Sequence, residues 1–258
     1  MTDLVTHIPG IDSFNPVRVE RLRPLTAFRA FRRLVRDKED TTQVFEIMKA
    51  LNGRSTTRGY QKLLRTFEGG RQAYLREELA HKLDDPDWLA RFPEGSVGAT
   101  YRAFREVRGF TADGLVQVER EVVPFIDAEH PTVWYSRRLR DVHDIWHVLT
   151  GFETDALGEA CVVSFSYGQT GSLGFAFIGW GAAREIQREN HSVPARRAVW
   201  QAWQMGRRAK WLPGLDYEAL FACPLDEARQ RLGIGTPDIY LSVPAGVRQS
   251  LKLRGQGV

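Results

Sequence analysis

The chain has 258 residues, 43% of them hydrophobic, enough for one sizeable core and a single domain with an extension at its N-terminus. Its formal net charge of +4, carried mostly by arginine, suits anionic lipid or a carboxylate- or phosphate-bearing substrate. No RNA-recognition or zinc-finger signature accompanies that charge, so nucleic acid is set aside. Cys161 and Cys223 make no Cys-x-x-Cys pair, which excludes a disulfide framework and favours a reducing compartment over secretion; neither has the setting of a nucleophile.

Met1 to Phe14 has no apolar run after a basic start, so residues 1–23 are read as a mobile tail and not a signal peptide. From Pro16 to Asp40, Leu22, Leu25, Phe28, Phe31, Leu34 and Val35 recur at three- and four-residue steps, which predicts an amphipathic helix from about Pro24 with Arg29, Arg32, Arg33 and Arg36 outside. An ordinary packed helix with a solvated basic side is weighed ahead of a membrane-surface helix. Thr41 to Ala50 predicts a second helix, ended at Asn52-Gly53, and Tyr60–Phe67 and Ala73–Leu83 continue the helical pattern. Asp84-Asp85-Pro86 stops it, and Gly95-Ser96-Val97-Gly98 opens a further helix whose start is read as a simple cap ahead of an anion site. Gly109 to Asp113 resembles a loop before a short stretch, Leu115 to Glu119. No repeat or inter-domain linker appears.

Pro131 and Trp134 introduce the stretch that carries chemistry, Val142-His143-Asp144-Ile145-Trp146-His147-Val148-Leu149. On a helix, His143 and His147 lie about 40° apart and Asp144 stays within the same sector of about 100°. Glu159 follows twelve positions after His147, which on a straight helix would carry it about 18 Å along the axis. Gly151 and Gly158 with a cap at Thr154 or Asp155 allow the chain to turn back and bring Glu159 to the histidines. Two imidazoles, an aspartate and a glutamate suit Zn²⁺ best, with Fe²⁺ or Mn²⁺ as alternatives, and Asp144 either ligates or orients a histidine. Polar residues at the edge of a core are the bland alternative. The His-Glu-x-x-His protease pattern is not met, because Asp144 stands where the general base would, one methylene shorter.

Ala160 to Ala183 contains no charged residue, and its length nominally spans a bilayer, which takes about 20 residues. Gly168 to Ser172 interrupts it, so a helical hairpin beside the metal site is expected and no transmembrane helix. Plain core is one reading; a groove for an isoprenoid tail lined by Phe175, Phe177 and Trp180, with glycines leaving room, is the other. Ala195 to Trp211 predicts an aromatic packing helix on which Arg207 and Lys210 share a face, a solvated basic face by default and otherwise a partner for a substrate carboxylate or a lipid phosphate. Residues 236–258, with Pro237, Pro244, Gly246, Gly255 and Gly257, are expected to hold little regular structure. The whole reads as an all-α, multi-helix single domain over 24–235, between the N-terminal tail and an irregular C-terminal one.

His143-Asp144-x-x-His147 followed by eleven residues and Glu159 resembles the signature of the Coq4 family of ubiquinone biosynthesis proteins. The likeness extends to Gly95–Phe104, Tyr135–Val142, Gly206–Lys210 and Leu225–Ile234, although Cys161–Ser166 lacks the charge the family tends to carry there and Phe221-Ala222 stands where Trp-Glu is expected. The resemblance implies a divalent metal held by His143, Asp144, His147 and Glu159, a polyprenylated phenolic acid or quinone precursor as substrate, and removal of the ring carboxyl of a polyprenylated hydroxybenzoate. It further implies a protein of the cytoplasm, peripheral on the inner face of the membrane, that organises other ubiquinone-biosynthesis proteins and can form a homodimer. Two rivals stand beside it: a non-catalytic prenyl-lipid-binding scaffold with a structural metal, and a metal-dependent hydrolase.

Overall fold

The computed structural model describes residues 21–36, 41–108 and 130–251. The sequence features assigned before residue 21, at 109–119 and from 252 onward lie outside these. Among the described residues the elements are helices and no strand forms, in agreement with the all-α reading.

The first helix, α1 (Pro24–Arg36), packs on α2 (Thr41–Leu51), which is followed by Gly53 in the left-handed region at φ +53°. The inward stripe of α1 is rotated from the expected one. Ala27 and Ala30 are buried and Phe31, Leu34 and Val35 partly so, whereas Leu22, Leu25 and Phe28 face outward with the four arginines of the helix. Two alanines permit the closest approach of helix axes, so they, and not the larger side chains, decide which face turns in. The patterns at Tyr60–Phe67 and Ala73–Leu83 are each broken, giving α3 (Ser55–Leu63), α4 (Phe67–Leu75) and α5 (Leu79–Leu83). Thr66 caps α4 by accepting the Gly69 N–H, and Arg76 ends it at φ +49°. Asp85 and Pro86 do more than stop α5: they cap and begin α6 (Pro86–Ala90). The next helix, α7 (Val97–Arg108), starts on Ser96 Oγ, which accepts the Ala99 N–H at 3.1 Å.

After α8 (Pro131–Asp141) and α9 (His143–Thr150) comes the central helix, α10 (Ala156–Thr170). It carries no charge past Glu159, and Leu157, Ala160, Cys161, Val162 and Phe165 are buried, so it takes the middle of the core. Beside it lie α11 (Leu173–Glu189) and α12 (Ala195–Arg208), with backbones near contact. A Cβ at Gly206 would sit 2.2 Å from the Phe165 carbonyl oxygen, one at Gly168 2.7 Å from that of Trp203, and one at Gly179 2.3 Å from Ser164 Oγ. The expected hairpin is therefore present, turning at Gly171 with φ +67°, but these glycines admit neighbouring atoms and leave no room for a lipid tail. Its α10 half is core, while α11 presents Leu173 and Trp180 to the outside.

The chain closes through a 3₁₀ turn (Leu212–Gly214), α13 (Tyr217–Phe221), α14 (Leu225–Leu232), α15 (Asp238–Leu241) and α16 (Ala245–Ser250). The last two lie in the segment expected to be irregular. Each follows a proline, Pro237 or Pro244, whose restricted φ favours a helix start, and Tyr240 and Val243 join the main core.

Candidate metal centre

Two consecutive turns place the site. Ile145, Trp146, Val148 and Leu149 anchor α9 in the core, and Trp146 Nε1 donates to Tyr217 Oη at 2.8 Å, so the face bearing His143 and His147 is held in one orientation. Arg229 on α14 caps the last turn of α9 by donating to the Leu149 and Val148 carbonyls, each at 3.0 Å. Gly151 then reverses the chain at φ +75°. Asp155 caps α10 through Oδ1, which accepts the N–H groups of Leu157 and Gly158, each at 3.0 Å. The turn is so tight that a Cβ at Gly158 would lie 1.9 Å from the Glu153 carbonyl oxygen. Glu159 emerges in the first turn of α10, back beside the two imidazoles.

The distances match an ion-sized gap. Glu159 Oε1 lies 3.4 Å from His147 Nε2, Glu159 Oε2 lies 3.6 Å from His143 Nε2, and the donor atoms of the three residues all fall within 4.8 Å of one another. Two ligands held about 2.0–2.1 Å from one zinc ion in tetrahedral geometry stand about 3.4 Å apart. The tautomer agrees as well. His147 Nδ1 is 2.9 Å from the Phe152 carbonyl oxygen, which can only accept, so Nδ1 carries a proton and, in the neutral ring, Nε2 presents its lone pair. That Nε2 atom is buried and makes no hydrogen bond, an exposed cost in a core unless something else takes the lone pair. The residues present therefore fit a divalent metal.

The site is graded from dry to wet: the His147 side chain is 1% exposed, that of His143 26% and that of Glu159 43%. Phe104 of α7 covers His147, ring centroids 5.6 Å apart. Burial alone would push the Glu159 carboxyl up, but the two imidazoles outweigh it and hold it well below the usual carboxylate range. Burial likewise disfavours charge on His147, and the Glu159 carboxylate reverses the balance so that its pKa is raised. Tyr101 is raised by its burial and by Asp144.

Three expectations about the site's membership change. Asp144 is not in the ligand group, because one residue past His143 it is turned about 80° from the midline of the two histidines; its charge instead reaches Tyr101 and His147. Arg207 and Lys210 lie at the other end of α10, where Gly168 packs on the Arg207 backbone and Gln169 donates to the Lys210 carbonyl. Nine residues of helix, about 13.5 Å, separate that level from Glu159. Phe177 packs edge-on to Phe31 at 5.3 Å and Trp180 faces Trp200 at 6.1 Å, while Phe175 is half-buried on α11; none belongs to the ligand group. Cys161 is buried with its thiol pushed well up, in keeping with an inert role.

Sequence reasoning also missed supporting residues. Arg229, Phe104 and Tyr240 reach the site from distant parts of the chain, Tyr240 through Glu153 and Asp155. No local pattern marks any of them.

Residues 22–238 match the family model described as coenzyme Q (ubiquinone) biosynthesis protein Coq4. The chain is 32% identical over 176 residues to the mouse (Mus musculus) protein named ubiquinone biosynthesis protein COQ4 homolog, mitochondrial, covering 67% of this chain and 63% of the mouse one. It is 31% identical over 201 residues to the human protein of the same name, covering 75% of this chain and 73% of the human one. A solved structure from Nostoc punctiforme shares the fold, with a TM-score of 0.61 at 21% identity over 84% of this chain and 100% of the other.

Proposed function

Because the chain belongs to the Coq4 family of coenzyme Q (ubiquinone) biosynthesis proteins, we propose that His143, His147 and Glu159 hold one divalent metal, zinc by the chemistry of the donors, at a site that removes the ring carboxyl of a polyprenylated hydroxybenzoate. The observation that carries this reading is the bare, buried Nε2 of His147 facing the Glu159 carboxylate. Among the described residues the group has three donors, fewer than the four that close a structural zinc site, and its His143 and Glu159 side are open to solvent. That openness favours chemistry over the scaffold with a structural metal. When bound, the ion supplies Lewis-acid polarisation of a phenolate or carboxylate oxygen.

The protein's own groups do the rest. The Phe152 carbonyl keeps the proton of His147 on Nδ1, and Asp144 adds negative charge close to that ring. Phe104 keeps water from the inner wall. In the reaction the bond from ring to carboxyl breaks and carbon dioxide leaves, water supplies the hydroxyl that the ring carbon takes, and dioxygen accepts the two electrons and two protons to leave as hydrogen peroxide. The test is to incubate zinc-loaded protein with a polyprenyl hydroxybenzoate and dioxygen and follow loss of the carboxyl by mass spectrometry. His143→Ala should abolish turnover; equal turnover by that variant overturns metal-assisted decarboxylation, and turnover of phosphate esters or amides in its place indicates the hydrolase.

A polyprenyl substrate resides in a bilayer, and one face of the molecule suits a peripheral position on it. Among the described residues no helix is long and apolar enough to cross a membrane. Trp180, Trp200 and Trp203 form a continuous row, with centroids 6.1 and 4.4 Å apart, and Arg207 lies over Trp203 at 5.2 Å. The helix α12 that carries Trp200, Trp203 and Arg207 contains no acidic residue. Tryptophan favours the headgroup level and arginine favours anionic lipid. Co-sedimentation with anionic vesicles should be strong, fall with added salt, and weaken in Trp200→Ser; equal binding to neutral vesicles at high salt speaks against this face.

A further inference from the structure

The hydroxyl of Tyr240 stands where two supports of the metal centre meet. It accepts the Glu153 N–H at 3.0 Å and donates to Asp155 Oδ2 at 2.5 Å. The Glu153 N–H and the Phe152 carbonyl belong to the same peptide group, planar by resonance, so fixing one side fixes the other. That carbonyl is the acceptor of His147 Nδ1–H. Asp155 in turn uses its other oxygen to cap α10, the helix that delivers Glu159 one turn later. The Tyr240 ring is 0% exposed and packs edge-on against Phe152 at 5.3 Å, so the hydroxyl has no freedom to swing away.

Resting on the metal reading above, we infer that Tyr240, carried by α15, is a positioning residue that sets the orientation of both His147 and Glu159 toward the ion. Its single hydroxyl ties the peptide that selects the His147 tautomer to the carboxylate that starts α10. The residue lies just past the 22–238 match and 85 positions from Asp155 in sequence, so the segment from α15 closes the site from outside the stretch that contains the ligands. A conventional core tyrosine would need one partner for its hydroxyl; this one has two, and both lead to ligands.

The test compares the full chain with Tyr240→Phe, Asp155→Asn and the double variant, titrating Zn²⁺ against a chromophoric chelator. Tyr240→Phe keeps the ring and removes only the hydroxyl; Asp155→Asn keeps an oxygen for the cap and removes the acceptor. Each single change should weaken zinc binding roughly 10- to 100-fold, as loss of a support behind a ligand does. The double variant should be no weaker than the weaker single one, because both cut the same link. The metal-free melting temperature of Tyr240→Phe should move by about 4 °C or less. Zinc binding by Tyr240→Phe equal to that of the wild type overturns the inference, as does additive loss in the double variant.

A metal-free readout separates this inference from the reading it rests on. The imidazole nitrogen resonances of His147 should report the Nδ1–H tautomer alone in the wild type and a mixture in Tyr240→Phe. An unchanged tautomer refutes the positioning role. A wild-type chain that takes up no zinc yet shows the tautomer change overturns the metal centre and leaves Tyr240 as the residue that orients His147.

Discussion

The two ends of α10 treat buried polar atoms in opposite ways. At its C-terminal end Gln169 is 8% exposed and fully satisfied: Nε2 donates to the Gly206 carbonyl at 2.6 Å and the Lys210 carbonyl at 3.2 Å, and Oε1 accepts the Leu212 N–H at 2.7 Å. At its N-terminal end His147 uses one ring nitrogen and leaves the other buried without a hydrogen bond, opposite a carboxylate. A side chain whose every valence is met by backbone pins helices together. One whose remaining ring nitrogen faces only a carboxylate in a dry place is suited to a cation held between the two, a proton or a metal ion. The contrast marks the first end of the helix as the working end and the second as the fastening.

The largest effect that can break this contrast is on metal affinity. His147→Ala should reduce zinc affinity by more than the roughly hundredfold that loss of a supporting group costs, since it removes a ligand outright. The same titration on Gln169→Leu should give wild-type affinity, and reduced affinity there would show that the two ends are not separate in role. Stability should respond the other way. Gln169→Leu strands the Leu212 N–H and the Gly206 carbonyl in the core and should lower stability by about 3 kcal/mol, read by denaturant unfolding of the metal-free chain. A loss under about 1 kcal/mol would mean that the fastening role has been overstated.

The working end was legible in the sequence because its signals are local. Histidines at a spacing of four, an aspartate able to cap, and glycines where the chain must reverse all act within a few residues, so His143, His147, Asp155 and Glu159 fall where periodicity puts them. Asp144 fell outside because a sector argument cannot distinguish a side chain on the seam from one beside it. The fastening end was not legible. Which residues sit opposite Gln169 depends on the close approach of α10 and α12 at Gly168 and Gly206, a register that neither helix encodes alone, so for Arg207 and Lys210 a solvated face and an anionic partner both stayed open. The rotated stripe of α1 and the reach of Tyr240 across 85 residues have the same origin: both are decided by a partner distant in sequence.

The smallest effect sharpens the contrast through protons. In the metal-free protein the Glu159 carboxylate raises the pKa of His147 above its ordinary 6.5 against the pull of burial, and the two imidazoles lower that of Glu159 below its ordinary 4.5. The raised histidine contributes stability that is fully present below about pH 6.5 and is lost as pH rises through its folded value. The lowered carboxyl contributes stability that is present above about pH 4.5 and is lost as pH falls through its folded value. Their pairing therefore helps the metal-free chain most between about pH 4.5 and pH 6.5 and helps it less on the alkaline side. Metal needs His147 without the competing proton, so zinc should reverse that slope. Melting curves taken with and without saturating zinc between about pH 5 and pH 8 should show an increment that grows by a few degrees toward alkaline pH. An increment independent of pH across that interval would mean that no imidazole proton is displaced, and the free lone pair of His147 would then have to be explained without a metal.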